Sequence, residues 1–211
     1  GDALLSLIND ILDFSKIEAG ELQFEEIEFD PELIAYDVCD LIRPKIGLKP
    51  IEVLCRVGDS VPSLVRGDPG QFRQVLAHLM GNAPKFTESG EIELALDIEE
   101  EKGARIKLHA AIRDTGIGIP ANNLVSIFES FQQADGSASR KYGGTGLGLS
   151  LCKKISNLMD GDVWAESAEG GSIFHFTAWF EKIEVKEKIA AEHPIQQETK
   201  HPAQILLVED N

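Results

Sequence analysis

Long apolar runs are absent. No stretch approaches the roughly 20 residues of a membrane-spanning helix, and the opening GDALLSLINDILDF lacks the features of a signal sequence. The sequence therefore predicts a cytoplasmic fragment. Cysteine is scarce: Cys39, Cys55 and Cys152 are odd in number and lie among apolar neighbours without C-x-x-C spacing. This argues against a zinc site or a disulfide framework and predicts reduced core residues. Basic residues are also few. Twenty Lys and Arg face 36 Asp and Glu, and the formal charge of -16 repels a phosphate backbone, which argues against nucleic acid as a partner. An anionic nucleotide binds such a chain only where donors, backbone dipoles or a metal reverse the local potential. What is there, 43% hydrophobic residues and 27% charged, suits a folded globular protein.

Periodicity organises the chain as α/β. Leu4, Leu7, Ile11 and Phe14 recur in heptad rhythm within a helix from Leu4 to Ile17, stopped by Gly20. With Leu5, Ile8 and Leu12 beside them, the stripe is too wide for one partner, which predicts a missing neighbour and either self-association through Leu4, Leu7, Ile11 and Phe14 or a disordered helix. A short alternating segment covers Phe24 to Phe29. Asp30-Pro31 and Asp68-Pro69 are N-cap and first-turn signatures of two helices, one ending near Ile46, the other carrying Phe72, Val75, Leu76 and Leu79. Strands are expected at Ile51–Val57, Glu91–Ile98 and Arg105–Ile112, the last two forming a hairpin across the turn Glu99–Gly103. A helix over Leu147–Met159 and strands near 162–166 and 172–180 follow. A polar, proline-bearing linker then leads to one buried-strand pattern, Gln204–Val208, which is not stable alone.

Four segments carry chemistry. DTGIGIP, Asp114 to Pro120, closes a strand: a carboxylate accepts a hydrogen bond from an exocyclic amino group, and Gly116 and Gly118 let backbone approach a planar ring. Adenine fits, whereas the guanine carbonyl is repelled. The same heptapeptide also reads as a tight turn with a capping aspartate. GGTGLGL, Gly143 to Leu149, opens a helix and offers bare amides to phosphate oxygens, or acts as a hinge; Leu149 after Gly148 rules out a Walker loop. HLMGNAPKFT, His78 to Thr87, places Asn82, a hard oxygen donor suited to Mg2+, one turn from Lys85. By itself the pair is a weak signal, since an Asn and a Lys near a helix end are more often caps and solvated surface. In FESFQQADGSASRKY, Phe128 and Phe131 anchor a mobile glycine- and serine-rich lid carrying Arg140 and Lys141, or are two core aromatics before an ordinary loop.

In their order along the chain, the asparagine helix, DTGIGIP, the phenylalanine segment and GGTGLGL closely resemble the N, G1, F and G2 boxes of the histidine kinase catalytic domain, of the GHKL superfamily. LINDILDFSKIEAGEL, from Leu7, resembles the second helix of a dimerisation hairpin, and ILLVEDN, from Ile205, the first strand of a receiver domain. The arrangement is similar to a hybrid sensor kinase. It implies residues 1–23 as a dimerisation helix, 24–183 as the catalytic domain, 184–203 as a linker and 204–211 as a truncated receiver. The implied fold is a two-layer α/β sandwich, a mixed sheet with three helices on one face.

The resemblance implies ATP and Mg2+ as cofactors. Asp114 would hold the adenine amino group beside Gly116, Gly118 and Ile119, Asn82 would coordinate the metal, and Lys85 would approach the phosphates. Phe131, Arg140, Lys141 and Tyr142 would belong to the lid, and Gly144, Thr145, Gly146, Leu147, Gly148 and Leu149 would hold the polyphosphate. Implied partners are ATP and ADP, the kinase's own dimerisation and receiver domains or a response regulator, and a second copy in a full-length homodimer. A membrane is reached only through upstream segments.

Two departures bear on this. His78 stands where the family carries an asparagine, and Mg2+ prefers oxygen. Pro84 lies inside the helix, where continuation costs about 3 kcal/mol and turns Lys85 elsewhere. No histidine falls in an acceptor-type helix, so autophosphorylation is not expected. The alternative is a degenerate nucleotide-binding or regulatory scaffold with weakened ATP binding. An ATPase clamp of the gyrase type lacks a place for the dimerisation-helix and receiver-strand segments.

Overall fold

The computed structural model describes residues 2–130, 146–168 and 170–183. Helix α1 spans Asp2–Glu18. It stops as expected: Gly20 adopts φ +68°, and the amides of Gly20 and Glu21 reach the carbonyls of Ile17 and Lys16 at 3.0 and 2.8 Å, satisfying orphan acceptors of the last turn. Helix α2 spans Pro31–Ile46 and α3 spans Pro69–Phe86. Asp30 caps α2 by accepting from the amides of Glu32 and Leu33. Asp68 caps α3 through Gln71 at 2.9 Å and ties down the preceding chain through the Glu25 amide at 3.0 Å. Helix α4 spans Gly148–Leu158.

The strands are β1 (Ile27–Phe29), β2 (Ile51–Val57), β3 (Val65–Gly67), β4 (Gly90–Lys102), β5 (Arg105–Asp114), β6 (Val163–Ala168) and β7 (Gly171–Lys182). They form one seven-stranded sheet in the order β1-β3-β7-β5-β4-β2, with β6 also paired to β7. Only β2 and β4 run parallel, so the sheet is mixed. Helices α2, α3 and α4 lie against it with α3 in the middle. The two-layer sandwich is therefore observed.

Alternation in β5 explains the layering. Ile106, Leu108, Ala110 and Ile112 are buried toward the helices. The intervening positions belong to the other face, where Arg113 pairs with Glu91 and Glu93 and the rings of Trp164, His175 and His109 stack with centroids 4.7 and 5.1 Å apart. In the core, Phe72 of α3 meets Phe29, Phe176 and Phe180 at centroid separations of 5.9, 5.8 and 5.3 Å. Burial of such rings contributes about 1.5–3 kcal/mol each and fixes α3 on the sheet.

Three expectations need correction. The hairpin is longer than the alternation suggests: Glu99–Lys102 belong to β4, held by cross-strand pairs of Glu99 with Lys107 and Glu101 with Lys182 after a shift of register at Ile98/Glu100. The three-residue β3 was not foreseen; it exists because it bridges β1 and β7. Helix α1 finds a neighbour within its own chain. Phe14, expected in a self-association stripe, lies under the Lys154 ammonium of α4 at 4.8 Å, and Glu18 pairs with Lys154. Among the described side chains of this helix, Ile8, Ile11 and Leu12 are exposed large apolar residues; those of Leu4, Leu5 and Leu7 lie outside the described ones. The linker 184–203 and the strand Gln204–Val208 also fall outside the described residues. Among the described residues no helix is long and apolar enough to cross a membrane.

Candidate functional site

Asp114 ends β5 and is 4% exposed. Its Oδ1 accepts from the Gly116 amide at 2.8 Å, and Ser172, its cross-strand partner on β7, also favours the ionised form. Burial nevertheless dominates and raises its carboxyl above the usual carboxylate range, against those contacts and the Arg113 charge. The turn after it is built around missing side chains. A Cβ on Gly116 would fall 2.8 Å from Asp114 Oδ1 and collide with the Phe86 carbonyl. That carbonyl accepts from the Ile117 amide at 3.3 Å, so the turn is docked on the end of α3. Gly118 takes φ +73°, a conformation that suits glycine. The Ile119 amide then donates to Ser167 Oγ at 2.6 Å.

Asn82 and Lys85 are one turn apart on α3, and Lys85 Nζ donates to Asn82 Oδ1 at 3.2 Å. Lys85 is open to solvent along one side, yet desolvation and the nearby Lys45 push its ammonium below the usual lysine range. The expectation that Pro84 would divert Lys85 is overturned: α3 runs through Pro84 to Phe86. Pro84 sits in the final turn, so little helix remains to be disturbed. Lys49 also donates to the carbonyls of Pro84 and Thr87 at 2.8 and 2.9 Å, closing acceptors at the helix end.

His78, one turn before Asn82, is not directed to a metal-binding cluster. Its Nε2 lies 3.3 Å from Oδ1 of Asp10, a buried carboxylate of α1. Its Nδ1 lies 3.1 Å from where a Cβ on Gly148 would stand. The imidazole thus occupies the junction of α1, α3 and the first turn of α4, where a side chain at position 148 would crowd it. Gly146 adopts φ +71°, Leu147 is buried, and Leu149 packs against the core. Phe128 meets Phe174 edge-on at 6.4 Å.

These residues bring Asp114, Gly116, Gly118 and Ile119 to the strand end beside α3, with Asn82 and Lys85 on α3 itself and Gly146, Leu147, Gly148 and Leu149 at the start of α4. Phe131, Arg140, Lys141, Tyr142, Gly144 and Thr145 lie outside the described residues. Sequence reasoning missed Ser172, Ser167, Lys49 and Asp10. Each acts across the fold on a distant segment, and no local spacing signals it. Surface depressions lined by Asp59 and Asp97, and by Arg66 and Trp179, share no residue with this cluster.

The donor set fits a nucleotide. A buried carboxylate beside a glycine turn that excludes side chains suits a planar amino-bearing ring, and an amide oxygen next to an ammonium suits a magnesium polyphosphate. No group of three or more His, Cys, Asp or Glu able to hold a metal occurs among the described residues. A magnesium ion here would take Asn82 together with water and phosphate oxygens, as this ion commonly does.

Comparison with known proteins agrees with this geometry. Residues 67–182 match the family described as histidine kinase-, DNA gyrase B-, and HSP90-like ATPase. Hybrid signal transduction histidine kinase K of Dictyostelium discoideum is 43% identical over 170 residues, covering 77% of this chain and 14% of that protein. Signal transduction histidine-protein kinase BarA of Escherichia coli K12 is 41% identical over 174 residues, covering 82% of this chain and 19% of its own. The chain therefore spans less than a fifth of the length of these two relatives. Among solved structures, full-length ShkA in complex with AMPPNP superposes with TM-score 0.73 and 34% identity over 87% of this chain and 37% of that one. A nucleotide-free catalytic domain of histidine kinase ThkA gives TM-score 0.59 and 27% identity over 77% of this chain and 100% of its own. With the matched region running from Gly67 through the Asp114 turn and the start of α4 to the end of β7, the chain belongs to the histidine kinase-, DNA gyrase B-, and HSP90-like ATPase family, on its histidine kinase branch.

Proposed function

We propose that residues 24–183 are the catalytic, ATP-binding domain of a hybrid sensor histidine kinase. Residues 1–23 are the second dimerisation helix, 184–203 a linker and 204–211 the first strand of a receiver domain. ATP supplies the γ-phosphoryl group, Mg2+ neutralises its charge, and the acceptor is a histidine on a dimerisation helix outside this chain. The chain's own part is binding and positioning. Asp114 accepts from the adenine amino group, and its negative charge rejects the carbonyl of guanine. Gly116, Gly118 and Ile119 form the wall beside the base. Asn82 holds the metal, Lys85 turns its ammonium from Asn82 to phosphate oxygen, and the amides at Gly146 and Gly148 meet the polyphosphate with the positive end of α4. Phe131, Arg140, Lys141, Tyr142, Gly144 and Thr145 complete the lid and phosphate loop.

The observation that carries this reading is the burial of Asp114 next to a glycine whose place no side chain can take. A buried carboxylate with a raised proton affinity is costly unless it has work to do. The test supplies labelled ATP, Mg2+ and a dimerisation domain bearing the acceptor histidine in trans. Acid-labile label on that domain supports the proposal, and its absence with intact fold and bound ATP contradicts the catalytic assignment.

A second reading is a regulatory scaffold with weakened nucleotide binding. It is favoured by the pairing of His78 with Asp10 and of Lys85 with Asn82, since both pairs occupy groups that a nucleotide would otherwise engage. Failure of ATP to bind at millimolar concentration selects this reading.

A further inference from the structure

Cys39 and Cys55 are not the scattered core thiols that their spacing suggests. Cys39 is fully buried on α2. Cys55 is part-exposed on β2 and packs against the same core as Val53 and Val57, so its side chain faces the helical layer. The strand itself is an edge of the sheet. The Cys39 thiol points at the carbonyl oxygen of Leu54, immediately before Cys55, with Sγ at 3.9 Å, so it sits against the strand where Cys55 faces the helical layer. Both cysteines are free. Two thiols thus meet at the α2–β2 seam, one reached from solvent and the other waiting behind it.

We propose that Cys39 and Cys55 form a reversible disulfide, making the α2–β2 seam a redox modification site whose oxidant is hydrogen peroxide. Cys55 is the entry point. The neighbouring Cys39 thiol, helped by the Arg43 guanidinium, holds the Cys55 thiol below the usual range despite burial, whereas Cys39 is held above it. The Cys55 thiolate sulfur bonds to one peroxide oxygen as the O–O bond breaks, leaving a sulfenic acid and a hydroxide that takes up a proton. The Cys39 sulfur then bonds to the Cys55 sulfur, the S–O bond breaks, and the hydroxyl leaves as water with the Cys39 proton. Two thiols lose two electrons, and one peroxide becomes two waters. Exchange with a dithiol reverses the link. Cys152, on α4, is fully buried with its thiol toward the Val75 carbonyl of α3, and takes no part.

The test treats the whole chain with hydrogen peroxide, removes the excess with catalase, counts remaining thiols by maleimide labelling in denaturant and maps the peptides. Two of the three thiols should be lost, a peptide joining Cys39 to Cys55 should appear, dithiothreitol should restore both, and Cys152 should stay labelled. In Cys39→Ser, Cys55 should stop at the sulfenic acid and take up dimedone. Retention of all three thiols, a dimer linked through Cys55, or over-oxidised Cys55 with Cys39 still free overturns the proposal. If Cys39→Ser does not fold, Cys55→Ser decides: it should keep its two remaining thiols, and loss of the Cys39 thiol in it overturns Cys55 as the entry point.

Discussion

Lys85 Nζ reaches Asn82 Oδ1 at 3.2 Å although Pro84 stands between them in the helix. The pair survives because the proline falls in the last turn and because Lys49 supplies the hydrogen bonds that the end of the helix needs. One ammonium thus shapes the scaffold while another faces the site.

Lys85→Gln removes the charge facing the phosphates and leaves the helix intact. ATP affinity should fall about tenfold, the scale of one charge-assisted hydrogen bond. The thermal midpoint should not move. Calorimetric titration and thermal unfolding check the two halves separately.

Lys49→Met should act in the opposite way. It leaves the carbonyls of Pro84 and Thr87 without their ammonium donor, and urea denaturation should show a loss of about 1–3 kcal/mol. A variant as stable as the parent would show that water serves those carbonyls equally well.

Asp10→Ala should release α1 without unfolding the sheet. The contact of Asp10 with His78 and the hydrogen bond from Gln74 to Asp13 at 2.9 Å hold this helix to α3. Hydrogen exchange should accelerate over residues 8–18 while β4 and β5 keep their protection. Uniform acceleration would mean that α1 is integral to the core.

Much of this was legible in the sequence because the signals are local. Asp30-Pro31 and Asp68-Pro69 set the starts of α2 and α3, alternation marked Ile51–Val57 to the residue, and Gly20 marked the end of α1. The rest depends on distant partners. Val65–Gly67 becomes a strand only because β1 and β7 arrive on either side, and the charged end of β4 is held by lysines of β5 and β7. At the site, the glycines of DTGIGIP announced a turn, but not that Phe86, Ser167 and Ser172 would brace it. His78 looked like a faulty metal ligand because nothing near it in sequence reveals Asp10.

Asp114 also makes a prediction about pH. Burial raises its carboxyl above the ordinary range, so the folded chain holds that proton more tightly than the unfolded one. Its stabilising contribution is complete below the unfolded pKa and lost as pH rises through the folded value. Asp114→Asn cannot ionise and keeps an oxygen for the Gly116 amide. It should be more stable than the parent at neutral pH, with the gap closing as the pH falls toward about 4. Urea titrations across that range check the sign, and a gap that widens on acidification would contradict it.

The most direct measurement is calorimetric titration of the chain, with Mg2+ present, by non-hydrolysable analogues of ATP and GTP, repeated on Asp114→Asn. Saturable binding of the adenine analogue, preferred over guanine by about tenfold or more and lost with the carboxylate, is the expected result. Equal affinity for both bases, or binding unchanged in Asp114→Asn, would contradict recognition of adenine by Asp114.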